Sequence, residues 1–202
     1  DIREEHAAIH GGEPVADLVV RHAPLRGIEV PEALVPDMID EFPALFVAAA
    51  CAEGPTVVRG AGELRVKESD RLAVMAAGLR TLCRRVDETA DGATLHPGPL
   101  GGGTIESHDD HRIAMAFAVA GQMAAGEVRI HDVATVATSF PGFDALAREA
   151  GFGLEDDASG EGAGAAARTR RAPVRVQLLV IAMPLPLASL PQLSMSSWVI
   201  VA

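Results

Sequence analysis

The chain has 202 residues, of which 49% are hydrophobic, 22% charged and 3% aromatic. This balance is that of a globular protein and excludes a disordered chain, which would be poor in apolar residues. The formal net charge of −11, from 28 acidic and 17 basic residues, argues against a nucleic-acid-binding function. All the basic residues are Arg except Lys67. This single lysine suggests a specific role, although GC-rich coding would also leave few lysines.

Strands and helices are predicted to alternate along residues 1–157. The order is βαβαββ followed by most of a second copy, which predicts an α/β fold. Two of the helices, at Phe42–Ala52 and Ile113–Ala120, are apolar nearly all round and should be covered on all sides. The predicted elements are a strand at Val15–Arg21, a helix at Asp40–Ala52, a strand at Thr56–Arg59, a helix at Ser69–Leu82 with Leu72, Met75, Ala76 and Leu79 buried, strands at Arg85–Asp87 and Ala93–His96 flanking the Asp91-Gly92 turn, a strand near Ile105, a helix at Asp110–Ala124, a strand at Glu127–His131 and a helix at Pro141–Ala150.

Residues 158–202 differ in kind from the acidic body. Ala158–Arg171 is rich in Gly, Ala and Arg and is interpreted as a flexible linker. Val176–Ala202 carries no charge, and its length would suffice to span a bilayer. However, Pro184, Pro186 and Pro191 interrupt it, and each proline costs about 3 kcal/mol inside a helix. We therefore interpret this tail as non-native or accessory sequence, such as frame-shifted read-through, with a membrane anchor as the alternative.

The cysteines and the amino terminus predict a cytoplasmic protein. Cys51 and Cys83 lack the spacing of a zinc site or a disulfide framework, so we interpret both as buried thiols in a reducing compartment. The first residues are polar and contain no signal peptide. Because the chain begins at Asp1 without Met, we also expect a truncated amino terminus.

Charged residues cluster where the predicted helices begin. Acidic and hydroxyl side chains are expected there, because they cap free N–H groups and acids also complement the helix dipole. Capping alone explains the presence of Ser69, Asp70 and Asp109. Cations at a helix start oppose the helix dipole by about 0.3–1 kcal/mol, and they are favoured when an anion binds there. The three such cations are Lys67, Arg71 and Arg112.

Anion binding is therefore the favoured interpretation of these cations, and ion pairing with the neighbouring acids is the alternative for Arg71 and Arg112. Lys67 and Arg71 are four residues apart and can share one face. Asp40 and Glu68, beside such cations, are candidates for moving protons. A metal site at His108–His111 is weakly supported, since no third ligand has suitable spacing, and His111 is interpreted as a hydrogen-bonding residue beside Arg112.

Four segments in the same order resemble those of the 5-enolpyruvylshikimate-3-phosphate synthase (3-phosphoshikimate 1-carboxyvinyltransferase) family. The resemblance covers essentially all of residues 1–157 and concerns the carboxy-terminal portion, so more than half of a member would lie before Asp1. It implies two lobes of βαβαββ units forming an inside-out α/β barrel, no cofactor and no metal, and a monomeric parent enzyme. The segments are Met38–Pro43 (MIDEFP), Leu64–Arg71 (LRVKESDR), Asp110–Met115 (DHRIAM) and Ala137–Pro141 (ATSFP).

The resemblance also implies a reaction and the residues that perform it. The enolpyruvyl group of phosphoenolpyruvate is transferred to the 5-hydroxyl of shikimate 3-phosphate, through a tetrahedral intermediate, with release of phosphate. Asp40 is implied as the proton acceptor at the shikimate hydroxyls and Lys67 as a ligand of the same substrate. Glu68 is implied as the proton donor to the methylene carbon, and Arg71 and Arg112 as ligands of phosphoenolpyruvate.

One departure and two alternatives accompany this resemblance. Thr138 stands where many members carry Lys, and in this respect the chain is similar to the second class of these enzymes.

The alternative enzyme is a UDP-N-acetylglucosamine enolpyruvyltransferase, and the alternative from another functional class is a non-catalytic remnant that binds anions. Because the remaining phosphate ligands would belong to the missing amino-terminal lobe, we expect this chain alone to be inactive. The expected partners are the two substrates and that lobe, without nucleic acid or membrane.

Overall fold

The computed structural model describes residues 1–156 and two short strands at 167–170 and 183–184. The chain divides into two compact units, Asp1–Ala23 with Val176–Ala202 and Pro24–Arg175. Apart from 183–184, the uncharged tail and the membrane-anchor alternative fall outside the described residues.

The first unit is built on an antiparallel hairpin. Strand β1 (Ile2–His10) pairs with β2 (Glu13–Val20) through the turn Gly11-Gly12. Both glycines have positive φ, 61° and 92°, as a two-residue hairpin turn requires. The predicted strand at Val15–Arg21 is confirmed as β2. Strand β1 was not predicted, because its charged sequence lacks a regular alternation of polar and apolar residues.

The second unit combines helices with two sheets, and the predicted α/β class is confirmed. Its α-helices are α1 (Phe42–Ala50), α2 (Arg71–Thr81), α3 (His111–Met123), α4 (Ala134–Ser139) and α5 (Phe143–Glu149), and its 3-10 helices are Glu32–Leu34, Ile39–Glu41 and Gly62–Val66. Its strands are β3 (Thr56–Val58), β4 (Val86–Glu88), β5 (Ala93–Leu95), β6 (Gly103–Glu106), β7 (Val128–His131), β8 (Gly153–Asp156) and β9 (Ala167–Arg170).

The two sheets remain open over the described residues. One has the order β3-β5-β4 and is antiparallel, whereas the other has the order β6-β7-β9-β8 with only the β6–β7 pair parallel. The barrel implied by the resemblance is therefore not closed within this part of the chain. Strand β9 lies inside the predicted linker Ala158–Arg171, where composition alone did not indicate a strand.

The predicted and observed boundaries differ most near the carboxyl end of the body. A single helix was predicted at Pro141–Ala150, but α4 ends at Ser139 and α5 begins at Phe143. Gly142 separates the two with a φ of 86°, a left-handed conformation that ends one helix before the next begins. Helix α4 and strand β8 were not predicted, because their sequences are short and their periodicity is weak.

Helices α1, α2 and α3 contribute to one hydrophobic core. Phe42–Ala50 and Ile113–Ala120 contain no exposed residue, which confirms the prediction that these helices are covered on all sides. The predicted inner face of α2 is also confirmed. Gly78 of this helix lies against the ring of Phe117, and any side chain at position 78 would overlap that ring. The two helices therefore approach each other closely at this point.

The two cysteines differ from each other. Cys51 is partly buried, and burial raises the pKa of its thiol despite the nearby charge of Arg84. Cys83 is exposed, with a φ of 63°. The prediction of two buried thiols is therefore wrong for Cys83, because α2 ends at Thr81 and the chain turns outward there.

Arg84, beside these cysteines, is a buried cation without a carboxylate partner among the described residues. The residue is only 5% exposed, and its Nε atom has no hydrogen-bond partner. The guanidinium packs on Gly98, and burial lowers its pKa. No carboxylate within the described residues forms an ion pair with it. Such a group destabilises the fold, because its desolvation is not compensated.

We expect Arg84→Met to raise the free energy of unfolding by about 1 kcal/mol, since the unpaired polar group disappears while the apolar stem is kept. Urea unfolding followed by circular dichroism measures the change. Arg85→Met is the matched control, because Arg85 is exposed and its replacement should leave stability nearly unchanged. A loss of stability in Arg84→Met would contradict the assignment of an unpaired cation.

Candidate active site

One buried guanidinium joins the beginnings of three helices. Arg71 is the first residue of α2 and is 1% exposed. Its Nε donates to Asp110 Oδ2 at 2.8 Å, its Nη1 donates to Asp40 Oδ1 at 2.8 Å, and its Nη2 donates to Glu68. Asp40 lies in the 3-10 helix before α1, and Asp110 precedes α3. The three carboxylates therefore determine the orientation of Arg71.

Asp110 is the buried anchor of this arrangement. Its side chain is fully buried and accepts hydrogen bonds from Ser69 Oγ at 2.9 Å and from the backbone N–H groups of Arg112 and Ile113 at 3.0 and 3.4 Å. It is the residue that caps α3, whereas the predicted cap Asp109 is exposed. An acid before an apolar helix is a recognisable cap, but no local pattern indicates its contact with Arg71.

The buried pair of Arg71 and Asp110 remains charged. Burial alone would raise the pKa of Asp110, but its hydrogen bond with Arg71 and the positive charge of Arg71 outweigh burial and lower that pKa. Burial alone would lower the pKa of Arg71, but Asp110, Glu68 and Asp40 outweigh burial and raise it. The pair is thus stable only while both partners are present.

Lys67 lies beside this pair, in the segment between the 3-10 helix Gly62–Val66 and α2. Its Nζ is 2.6 Å from Glu63 Oε1 and 3.6 Å from Asp40 Oδ1. The prediction that Lys67 lies at a helix start is wrong, because α2 begins four residues later and is capped by Asp70. Lys67 and Arg71 nevertheless share one face, since both contact Asp40.

Arg112 completes the group of cations around Asp40. Its Nη1 donates to the backbone carbonyl of Asp40 at 3.0 Å and is 3.4 Å from Glu41 Oε1. Burial alone would raise the pKa of Asp40, but the charges of Arg112, Lys67 and Arg71 outweigh burial and lower it. Asp40 is therefore ionised and held in place by three cations, two from the segment Leu64–Arg71 and one from the beginning of α3.

Five of the six predicted site residues meet in this cluster. His111 begins α3 but makes no hydrogen bond or ion pair within the described residues. Arg71 and Arg112 form the ion pairs that were the alternative to anion binding, so these pairs explain their placement without a ligand. Sequence reasoning missed Glu41, Glu63 and Asp110 as members. The site cluster comprises Asp40, Glu41, Glu63, Lys67, Glu68, Arg71, Asp110 and Arg112.

The described residues show neither a metal site nor a membrane-spanning helix. Within the described residues, no three side chains of His, Cys, Asp or Glu are arranged to hold a metal ion. None of the helices in this part of the chain has the length and apolar character needed to cross a membrane.

Comparison with known proteins gives concordant matches. The profile of EPSP synthase (3-phosphoshikimate 1-carboxyvinyltransferase) matches residues 2–146. A 3-phosphoshikimate 1-carboxyvinyltransferase of Xanthomonas oryzae pv. oryzae is 74% identical over 160 residues, which cover 79% of this chain and 36% of that protein. The enzyme of the same name from Xanthomonas axonopodis pv. citri is 74% identical over 155 residues, covering 77% of this chain and 35% of that protein.

A solved structure agrees with these sequence matches. The EPSP synthase of Acinetobacter baumannii superposes with a TM-score of 0.71 at 51% identity, over 74% of this chain and 36% of that chain. The fold is thus the α/β fold of an enolpyruvyl transferase. More specifically, the chain belongs to the EPSP synthase family. It spans about a third of the length of the curated relatives that it matches.

Proposed function

We propose that this chain supplies the carboxy-terminal portion of a 3-phosphoshikimate 1-carboxyvinyltransferase. The reaction adds the 5-hydroxyl of shikimate 3-phosphate to C2 of phosphoenolpyruvate while C3 takes up a proton. Loss of phosphate and of a C3 proton from the tetrahedral intermediate then gives the enolpyruvyl product. The observation that carries the proposal is the convergence of Asp40, Lys67, Glu68, Arg71 and Arg112, from segments typical of the family, on one small region.

The geometry supports different roles for the two proposed proton-transferring carboxylates. Asp40 is ionised, because Arg112, Lys67 and Arg71 lower its pKa, which suits a group that accepts the hydroxyl proton. Glu68 is half exposed and is held by Arg71, so its second oxygen can face a substrate. In the proposed role, the protonated carboxyl group of Glu68 gives its proton to C3 and the resulting carboxylate later takes one back, and both steps require an ordered group beside the reacting atoms.

The cations have proposed roles in binding the two anionic substrates. Lys67 and Arg112 are partly exposed, so each can turn a donor toward a phosphate or carboxylate group. Arg71 is buried and already donates to three carboxylates. A direct contact of Arg71 with phosphoenolpyruvate therefore requires Asp40 or Glu68 to move aside, and its first role is to position those two side chains.

The charge balance explains why we expect this chain alone to be inactive. The site cluster contains five carboxylates and three cations, all of which are paired in the structure. Two anionic substrates cannot bind such a net-negative cluster tightly without further cations. The remainder of the protein must therefore supply them.

A phosphate-release assay tests the proposal. We expect no turnover of phosphoenolpyruvate and shikimate 3-phosphate by the chain alone. We expect turnover when the chain is combined with the remaining two thirds of the Xanthomonas oryzae relative, either fused or added as a second polypeptide. Turnover by the chain alone would overturn the expectation of inactivity. Turnover with UDP-N-acetylglucosamine instead of shikimate 3-phosphate, in a complex shown to assemble, would favour the alternative enzyme.

In the combined enzyme, we expect Lys67→Arg to lose most of the turnover without loss of folding. The planar guanidinium is bulkier than the ammonium group that fits between Glu63 and Asp40, so arginine is not a conservative replacement there. The same assay measures the effect, and Arg59→Lys at an exposed ion pair is the control for a charge-conserving change. Near-normal turnover of Lys67→Arg would show that the single lysine has no specific role.

A further inference from the structure

Among the three cations of the site cluster, Lys67 is the one that pairs mainly with an exposed carboxylate. Glu63 Oε1 lies 2.6 Å from Lys67 Nζ, whereas Asp40 Oδ1 lies at 3.6 Å. The side chain of Lys67 is 21% exposed and that of Glu63 is 57% exposed. The ammonium group is thus held near the protein surface by a partner that is itself free to turn into solvent.

Glu63 differs from the other carboxylates of the cluster. Asp110, Asp40 and Glu68 all pair with Arg71 and orient it, and Glu41 pairs with Arg112. Within the described residues, the only ion pair of Glu63 is with Lys67. Removing the charge of Glu63 therefore alters the surroundings of Lys67 and leaves the network of Arg71 unchanged.

The ion pair between Glu63 and Lys67 is weak enough for another anion to take the place of Glu63. Exposed pairs four residues apart contribute little to stability, because water screens them and ordering two long side chains opposes them. The contact nevertheless occupies one of the three donors of the ammonium group. It also places a negative charge beside the donors that remain for an anion. An anion that binds Lys67 must therefore displace Glu63 or overcome its repulsion, which grows with the charge of the anion.

We propose that Glu63 is a built-in counter-ion of Lys67 that competes with an anionic ligand, so that Glu63 weakens the binding of anions at Lys67, and of multiply charged anions most. This inference rests on the proposed function, because it takes Lys67 as an anion ligand. Glu63 acts through Lys67 and is thus a positioning residue. The raised pKa of Lys67 agrees with this role, since the hydrogen bond to Glu63 is its largest cause.

The composition of the chain allows the charge of Lys67 to be measured directly. Because Lys67 is the only lysine, a 202-residue chain labelled with 13C at lysine Cε gives a single signal that reports the charge and surroundings of Lys67. Its pH titration gives the pKa of Lys67, for which the facing charged groups are Glu63 and Asp40. Its response to inorganic phosphate gives the affinity for a multiply charged anion, and its response to chloride gives that for a singly charged one.

We expect Glu63→Gln to lower the pKa of Lys67 and to strengthen phosphate binding about fivefold, because it removes a like charge about 4 Å from the bound anion. Binding of phosphate should strengthen by a larger factor than binding of chloride, since the repulsion by Glu63 grows with the charge of the anion. Glu63→Asp keeps the charge and should retain weak binding. Glu32→Gln is the matched control, since Glu32 is exposed on another 3-10 helix and makes no ion pair in the described part of the chain.

Each outcome separates this proposal from the proposed function. Equal phosphate binding by the unmodified chain and Glu63→Gln would overturn the role of Glu63 and leave Lys67 as an anion ligand. No response to phosphate in any variant would overturn the role of Glu63 but not the proposed function, which the turnover assay tests in the combined enzyme. An unchanged pKa of Lys67 in Glu63→Gln would also overturn the proposal, whatever the result of the turnover assay.

Discussion

Replacing Arg71 by Met is expected to lower the free energy of unfolding by about 3–5 kcal/mol, because it leaves a buried carboxylate without its partner. Asp110 is fully buried, and its charge is stabilised chiefly by Arg71. Methionine fills much of the volume of the arginine side chain but donates no hydrogen bond. Urea unfolding monitored by circular dichroism measures the loss.

Two companion variants distinguish loss of the pair from loss of packing. The double variant Arg71→Met/Asp110→Asn should recover more than half of the lost stability, since asparagine still caps α3 but carries no charge. Arg80→Met, on the exposed side of the same helix, should change stability by less than about 1 kcal/mol. No recovery in the double variant would contradict the assignment.

The effect of Arg71→Met should also depend on pH. The folded-state pKa of Asp110 lies below its ordinary value of 3.8, so its stabilising contribution is present above about pH 4 and is lost as the pH falls through the folded pKa. In Arg71→Met, the unpaired buried carboxyl has a raised pKa, and protonation at low pH relieves its penalty. The difference between the two proteins should therefore be largest near neutral pH and should shrink below about pH 4.

Glu68→Gln, in the enzyme combined with the rest of the Xanthomonas relative, is expected to lower kcat by at least about 100-fold, since a positioned general acid contributes about 100- to 10,000-fold. Glutamine has the same shape but cannot release a proton to the methylene carbon. Glu68 is half exposed, so stability should change by less than about 1 kcal/mol.

Isotope exchange makes the second prediction specific to proton transfer. In deuterium oxide, reversible protonation of phosphoenolpyruvate at C3 introduces deuterium into its methylene group, and Glu68→Gln should abolish this exchange. Glu41→Gln is the matched control, because Glu41 belongs to the same cluster and pairs with Arg112 instead. It should alter KM more than kcat and should retain exchange. Normal exchange in Glu68→Gln would exclude Glu68 as the proton donor.

The helices were predictable because their signals are local. Leu72, Met75, Ala76 and Leu79 follow the helical period, and all four are buried in α2. Strand β1 and helix α4 were missed for the opposite reason, since a short or highly charged segment gains its structure from the neighbours that it pairs with. Gly142, with its left-handed backbone, separates two helices where the sequence suggested one.

The roles within the site were only partly predictable. Residue type and position indicated that Asp40, Lys67, Glu68, Arg71 and Arg112 work together. The sequence did not indicate that Arg71 is buried among carboxylates, because its partners Asp40 and Asp110 lie 31 and 39 residues away. Whether a cation faces a ligand or an ion pair depends on those distant contacts, and thus only on the tertiary structure.

The sequence by itself determined the α/β class, the family, the members of the proposed catalytic set and the unusual single lysine. These features are carried by local periodicity and by residue types at defined spacings. The tertiary structure decided which charges neutralise one another. It made Asp110 the buried anchor, Arg71 a positioning cation and Glu63 the partner of Lys67, because electrostatic interactions depend on separation in space and on burial. Lys67 was conspicuous in the sequence, but its counter-ion is visible only in the fold.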